Sequence, residues 1–147
     1  MALTDYLTSG QICLNFMAGS KVEVLEALSG LAAKARGLPQ ADILEVLTAR
    51  EELGSTGIGE GVALPHGRLP NLASPLLCLA LSPGGVEFDS LDGQPVRLLA
   101  LVLTGAEGRE HLQLLARLGA LLKSPEAVAE ILAARTPFEV LNLLARY

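Results

Sequence analysis

Two uninterrupted apolar runs, LLCLAL at Leu76–Leu81 and LLALVLT at Leu98–Thr104, decide the fold class of this chain. A strand with one face in water alternates apolar and polar residues, whereas a strand covered on both faces is apolar throughout. Leucine is a weak strand former, so a buried helix is the alternative reading. The brevity of both runs and their Pro and Gly flanks favour strands. Between them, Ser82–Gly93 reads as a loop, with a strand segment around Val86–Phe88. Upstream, Gln11–Phe16 is a short half-apolar run and a weaker strand candidate.

Outward from these runs the periodicity changes to that of helices. After Ser20, apolar residues recur at Val24, Leu25, Leu28, Leu31, Ala32 and Ala35, with Ser20 placed as an N-cap and Gly37 as a stop. A second helix is predicted from about Gln40 to Leu53, with Ile43, Leu47 and Leu53 facing inward and Gly54 ending it. The last third reads as helices over Arg109–Lys123, Pro125–Ala134 and Phe138–Arg146. Ser124-Pro125 and Thr136-Pro137 each supply an N-cap followed by proline at the first helical position, and Thr136-Pro-Phe-Glu139 spells a capping box. Helices at both ends with strands between them predict α/β layers around one sheet.

The bulk properties narrow the class. The chain has 147 residues, 50% of them hydrophobic and 18% charged, which predicts a single domain over residues 1–147 with one substantial core. Aromatics are only 3% and tryptophan is absent, so Leu, Ala, Val and Ile must build that core. The net charge is -5, and no basic run supplies a phosphate-backbone footprint, so nucleic acid is not expected as a partner. Cys13 and Cys78 lie far apart in apolar contexts and read as small hydrophobes. Two His and two Cys so scattered do not make a zinc site, and no metal is expected. The start Met1–Asp5 lacks the pattern of a signal peptide. The longest uncharged stretch, Leu69–Val86, contains three prolines and a Gly pair, which argues against a membrane span. The expectation is a soluble, cytoplasmic, acidic domain without membrane insertion.

Chemistry concentrates in REELGSTGIGEGVALPHGRL, Arg50–Leu69. A Walker A loop needs Lys and then Ser/Thr after its last glycine, but Gly59 is followed by Glu60. A dinucleotide fingerprint follows a strand and opens a helix, whereas these glycines follow a helix and lead into the apolar Val62-Ala63-Leu64. Direct ATP or NAD binding is therefore disfavoured, and no cofactor is expected. What remains is a glycine loop leading to Pro65-His66-Gly67, a setting for an imidazole held at a fixed angle and open to a partner. Arg50, Arg68 and the hydroxyls of Ser55 and Thr56 could hold an anion such as a phosphoryl group. A neutral histidine can act as a nucleophile when its other ring nitrogen donates to a fixed acceptor. The second histidine, His111, opens a predicted helix beside Arg109, where unpaired N–H groups favour anions. The plain alternatives are a turn histidine, a polar first-turn residue and a solvated Arg50 beside Glu51 and Glu52.

The segment GSTGIGEGVALPHGRLP resembles the active-site signature of enzyme IIA domains of the fructose/mannitol class of the bacterial phosphotransferase system, which includes the nitrogen-regulatory type. The resemblance extends over nearly the whole chain: the N-terminal helix, Phe88-Asp-Ser-Leu-Asp-Gly-Gln-Pro-Val96, the strand after it, His111-Leu-Gln-Leu-Leu115 and Ala134-Arg135-Thr136. It implies a three-layer α/β/α sandwich with a central mixed β-sheet flanked by helices. It further implies that His66 is the phosphorylated nucleophile, that His111 supports it and that Arg50 stabilises the phosphoryl group. Ser55, Thr56 and Arg68 transfer less firmly as phosphate-binding residues. The chain departs from the resemblance at Leu103–Gly108, where relatives often carry Val-Pro and a more acidic run.

The implied function is a phosphoryl carrier that accepts phosphate on His66 from a histidine phosphocarrier protein, with the nitrogen-regulatory type as the first reading. The alternative is a sugar-specific IIA that passes phosphate to a separate enzyme IIB. A third, less favoured reading is a regulatory module on the same fold without phosphotransfer. The implied acceptors are an enzyme IIB or regulatory target proteins, and contact with a membrane transporter is compatible with either.

Overall fold

The computed structural model describes residues 2–105 and 108–147. Ala106 and Glu107, within the segment that departs from the resemblance, lie outside the described residues. The described strands are β1 (Ile12–Cys13), β2 (Gly57–Gly59), β3 (Val62–Ala63), β4 (His66–Arg68), β5 (Leu76–Val86) and β6 (Val96–Thr104). They form one sheet in the order β1-β5-β6-β3-β2, with β4 also paired to β6. Antiparallel β5–β6 and β2–β3 pairs combine with parallel β1–β5, β3–β6 and β4–β6 pairs, so the sheet is mixed.

The two apolar runs are the central strands β5 and β6. They are apolar throughout because alternate residues enter different cores. Leu77, Leu79, Ala100 and Val102 join Leu114, Leu118, Ile131 and Val140 from α3 (Glu110–Leu122), α4 (Pro125–Leu132) and α5 (Pro137–Leu144). Cys78, Ala80, Leu99 and Leu101 join Val24, Leu28, Ile43 and Leu47 from α1 (Lys21–Arg36) and α2 (Gln40–Glu52). This is the three-layer sandwich that the family resemblance implied.

The caps act much as expected. Ser20 Oγ accepts from Glu23 N at 3.2 Å, and Gly37 closes α1 with φ 64°. Ser124 Oγ accepts from Ala127 N. Thr136 Oγ1 accepts from Glu139 N, but the Glu139 carboxylate takes Arg135 N rather than Thr136 N, so only half of the capping box forms.

Two expectations are corrected. Ser82–Gly85 is not loop: β5 runs through it to Val86, and the ladder shifts register between Leu81 and Val86. Pro83 cannot donate to a ladder and Gly85 sits at φ 78°, so the strand bulges and resumes at Val86 opposite Val96. Leu53 does not face inward. Helix α2 stops at Glu52, and Leu53, past the last turn, is 84% exposed.

Candidate active site

Pro65 interrupts the strand edge that β3 and β4 together lay along β6. His66 therefore sits in β4, a short strand and not a turn, with its Cα in register with Val102. Helix α3 begins soon after β6 and carries His111 in its first turn. Helix α2 packs across β4 and brings Arg50 in its last turn. That approach depends on Gly67, because a Cβ there would lie 3.0 Å from Val46 Cγ2. Val46 and Arg50 are one helical turn apart, so a glycine in the strand sets how near the guanidinium comes.

The His66 ring is held at both nitrogens. Nδ1 lies 2.8 Å from the Leu64 carbonyl oxygen, which can only accept, so Nδ1 carries the proton. Nε2 then presents its lone pair and accepts from Arg50 Nε–H at 3.1 Å. Arg50 is itself anchored by Nη1–H donating to the Gly54 carbonyl at 3.0 Å. Burial draws the His66 pKa below its ordinary 6.5; the Leu64 hydrogen bond opposes this, the Arg50 charge adds to it, and the Glu51 charge opposes it. The outcome is a neutral imidazole at neutral pH with a directed lone pair.

His111 faces the same place. The two ring centroids are 5.6 Å apart and tilted by 55°. His111 is 7% exposed, and its Nδ1 is 2.5 Å from Thr104 Oγ1 at the end of β6. Burial lowers its pKa, the Arg68 charge lowers it further, and protonation of His66 would add to this. Arg68 is thus near enough to act on His111 through its field, from a β4 position in register with Thr104.

The hydroxyls of Ser55 and Thr56 are engaged in building the loop. Ser55 Oγ donates to the Phe88 carbonyl at 2.8 Å and accepts from Gly57 N at 3.0 Å. Thr56 Oγ1 donates to Glu51 Oε2, and Thr56 N donates to Glu51 Oε1 at 3.1 Å. The sequence reading missed Glu51. Its side chain is 5% exposed and pairs with Lys21 Nζ at 2.9 Å, which in turn lies 4.9 Å from the centre of the Phe88 ring. One carboxylate thus ties α1, α2 and the glycine loop together. Its sequence signal, a charge between Arg50 and Glu52, is indistinguishable from a solvated run.

Among the described residues no group of three or more His, Cys, Asp or Glu could hold a metal ion. Burial pushes the Cys78 thiol up to about 12 and raises that of Cys13, so neither is a ready thiolate.

Residues 5–147 match the family model described as phosphoenolpyruvate-dependent sugar phosphotransferase system, EIIA 2. A nitrogen regulatory protein of Bradyrhizobium diazoefficiens is 37% identical over 147 residues, 99% of this chain and 95% of the relative. The crystal structure of nitrogen regulatory protein IIA-Ntr from Neisseria meningitidis superposes with a TM-score of 0.90 at 32% identity, covering 97% of this chain and 98% of that one. Enzyme IIA-mannitol of Escherichia coli, determined in complex with phosphorylated enzyme IIB-mannitol, gives a TM-score of 0.77 at 27% identity over 96% of this chain and 98% of that one.

Proposed function

Because the chain belongs to the EIIA 2 family of the phosphoenolpyruvate-dependent sugar phosphotransferase system, we propose that His66 carries its phosphoryl group, on Nε2. The chain is a phosphoryl carrier, and the nitrogen-regulatory type is the kind its relatives fit best. The observation that carries the site assignment is the Nδ1–H···O bond to Leu64, which leaves only Nε2 with a lone pair. That lone pair attacks the phosphorus of a donor phosphohistidine. The donor's N–P bond breaks, and its electron pair returns to the donor nitrogen. Each ring keeps the proton on its other nitrogen, so the transfer needs no general base.

Arg50 has two successive tasks. Before transfer its charge helps hold His66 neutral, and its Nε–H aims the lone pair. As the phosphoryl group arrives, that N–H moves from nitrogen to a phosphoryl oxygen, where positive charge stabilises the transferring group. His111 from the first turn of α3 and Arg68 from β4 supply further stabilisation. Ser55 and Thr56 serve by shaping the loop that carries the site.

The donor is a histidine phosphocarrier protein, and the chain works as one EIIA domain in the cytoplasm. A protein partner suits the exposed Leu53, Ile58 and Leu112, which flank the site-bearing segments in the chain. No described helix is long and apolar enough to cross a membrane. In the nitrogen-regulatory reading, the dianionic group on His66 changes which target protein binds. The second reading, transfer onward to an enzyme IIB, is favoured by the likeness to the mannitol IIA solved with its phosphorylated IIB.

The test is intact-mass spectrometry after incubation with phosphoenolpyruvate, enzyme I and a histidine phosphocarrier protein. One acid-labile phosphate is expected on the wild type and none on His66→Ala. Phosphate retained by His66→Ala refutes the assignment, and no phosphate on either chain refutes the carrier mechanism. Drainage of the label by a purified IIB would select the sugar-specific reading.

A further inference from the structure

We infer that Thr104 is a positioning residue: its hydroxyl holds His111 as the tautomer that carries its proton on Nε2, ready to donate to a phosphoryl group on His66. The inference rests on the proposed phosphorylation of His66. The bond is to a hydroxyl, and an aliphatic side chain in its place could not make it.

The geometry allows the hydroxyl little freedom. Thr104 ends β6, is 2% exposed, and has its carbonyl taken by Leu69 N at 2.8 Å. Gly105 locks the strand end further, since a Cβ there would fall 2.8 Å from the Leu72 carbonyl oxygen. From this rigid place Oγ1 lies 2.5 Å from His111 Nδ1. A hydroxyl can donate or accept, and a neutral imidazole offers one nitrogen of each kind. If Nδ1 held the proton, the buried hydroxyl would need a second acceptor for its own. With Nδ1 bare, one bond satisfies both groups, and burying a donor without an acceptor is the costlier state.

The consequence reaches His66. With Nδ1 occupied, the His111 proton is on Nε2. The ring centroids are 5.6 Å apart, which brings His111 within reach of a phosphoryl group on His66. An N–H there stabilises phosphoryl oxygens, whereas a bare lone pair would repel them. Burial and the Arg68 charge both favour the neutral His111 ring, in which a tautomer choice exists, and protonation of His66 would favour it further.

The test compares Thr104→Val, nearly isosteric without the hydroxyl, and Thr104→Ser, which keeps it. Nitrogen-15 NMR of the unphosphorylated full chain, with His111→Ala to assign signals, should show the Nε2–H tautomer in wild type and Thr104→Ser and a mixture in Thr104→Val. Phosphorylation of His66 by the phosphocarrier protein should slow about tenfold in Thr104→Val and recover in Thr104→Ser. In a His111→Ala background, Thr104→Val should add no further loss. An unchanged tautomer, or an equal loss in that background, overturns the inference. A wild type that accepts no phosphate refutes the carrier reading instead, and the tautomer result still decides whether Thr104 orders His111.

Discussion

Glu51→Gln is the substitution whose effect the structure fixes most closely. The Glu51 carboxylate accepts from Thr56 N, Thr56 Oγ1 and Lys21 Nζ in surroundings that leave it 5% exposed. Glutamine keeps the shape and one carbonyl, but it places an NH2 against Thr56 Oγ1 and removes the charge that faces Lys21. Breaking a fully buried ion pair costs about 3–5 kcal/mol. Lys21 is still 21% exposed and lies 3.9 Å from the exposed Asp89 carboxylate, so a discounted loss of about 2 kcal/mol is expected. For a chain of this length that lowers Tm by about 6–8 °C. The second half of the test is a double-mutant cycle with Lys21→Met, because removing both partners leaves no orphaned charge. The double variant should lose about 1–2 kcal/mol less than the sum of the single losses. Calorimetric Tm values or urea midpoints measure this, with His66 followed by NMR. Glu51 raises the His66 pKa, so its neutralisation should lower that pKa further. A Tm within 1 °C of wild type, or strict additivity with Lys21→Met, would refute the reading of Glu51 as the tie between α1, α2 and the glycine loop.

Gly67→Ala should push Val46 outward by a few tenths of an ångström, cost about 1–3 kcal/mol and stretch the 3.1 Å bond from Arg50 to His66. Phosphoryl uptake should then slow several-fold and recover when Val46→Ala is added; a wild-type rate in Gly67→Ala would contradict this. Both histidines have pKa values lowered from 6.5, so the unfolded chain binds more protons below that pH. Their contribution to stability is therefore complete above about pH 6.5 and lost as pH falls through the folded-state values. Urea titrations at stepped pH should show a smaller acid loss in His66→Gln, and NMR midpoints above 6.5 would reverse the sign. Thr136→Ala should cost about 1 kcal/mol through loss of the N-cap of α5, visible as a Tm lower by about 3 °C with phosphoryl uptake unchanged.

What could be read from the sequence, and what could not, divides along the range of the interactions. The caps at Ser20, Ser124 and Thr136 act within a single turn, so the residues that specify them are adjacent and readable. The two central strands were readable because burial on both faces demands apolar residues throughout. Ser82–Gly85 was not: Pro and Gly signal a turn locally, yet β6 offers partners on both sides of the bulge and the strand continues. His66 and Arg50 could be proposed from their joint window and the family resemblance, but not which ring nitrogen of His66 keeps a free lone pair. That depends on the Leu64 carbonyl beside the break that Pro65 makes between β3 and β4. The Arg50-Glu51-Glu52 run marks the limit most clearly. Successive helical residues point about 100° apart, so three neighbouring charges meet three environments. Arg50 turns to His66, Glu51 is buried against Lys21 and Thr56, and Glu52 is exposed. Only the packing of α2 between α1 and β4 assigns those environments. The same packing makes Gly67, a residue with no side chain, responsible for how closely the guanidinium approaches His66 Nε2.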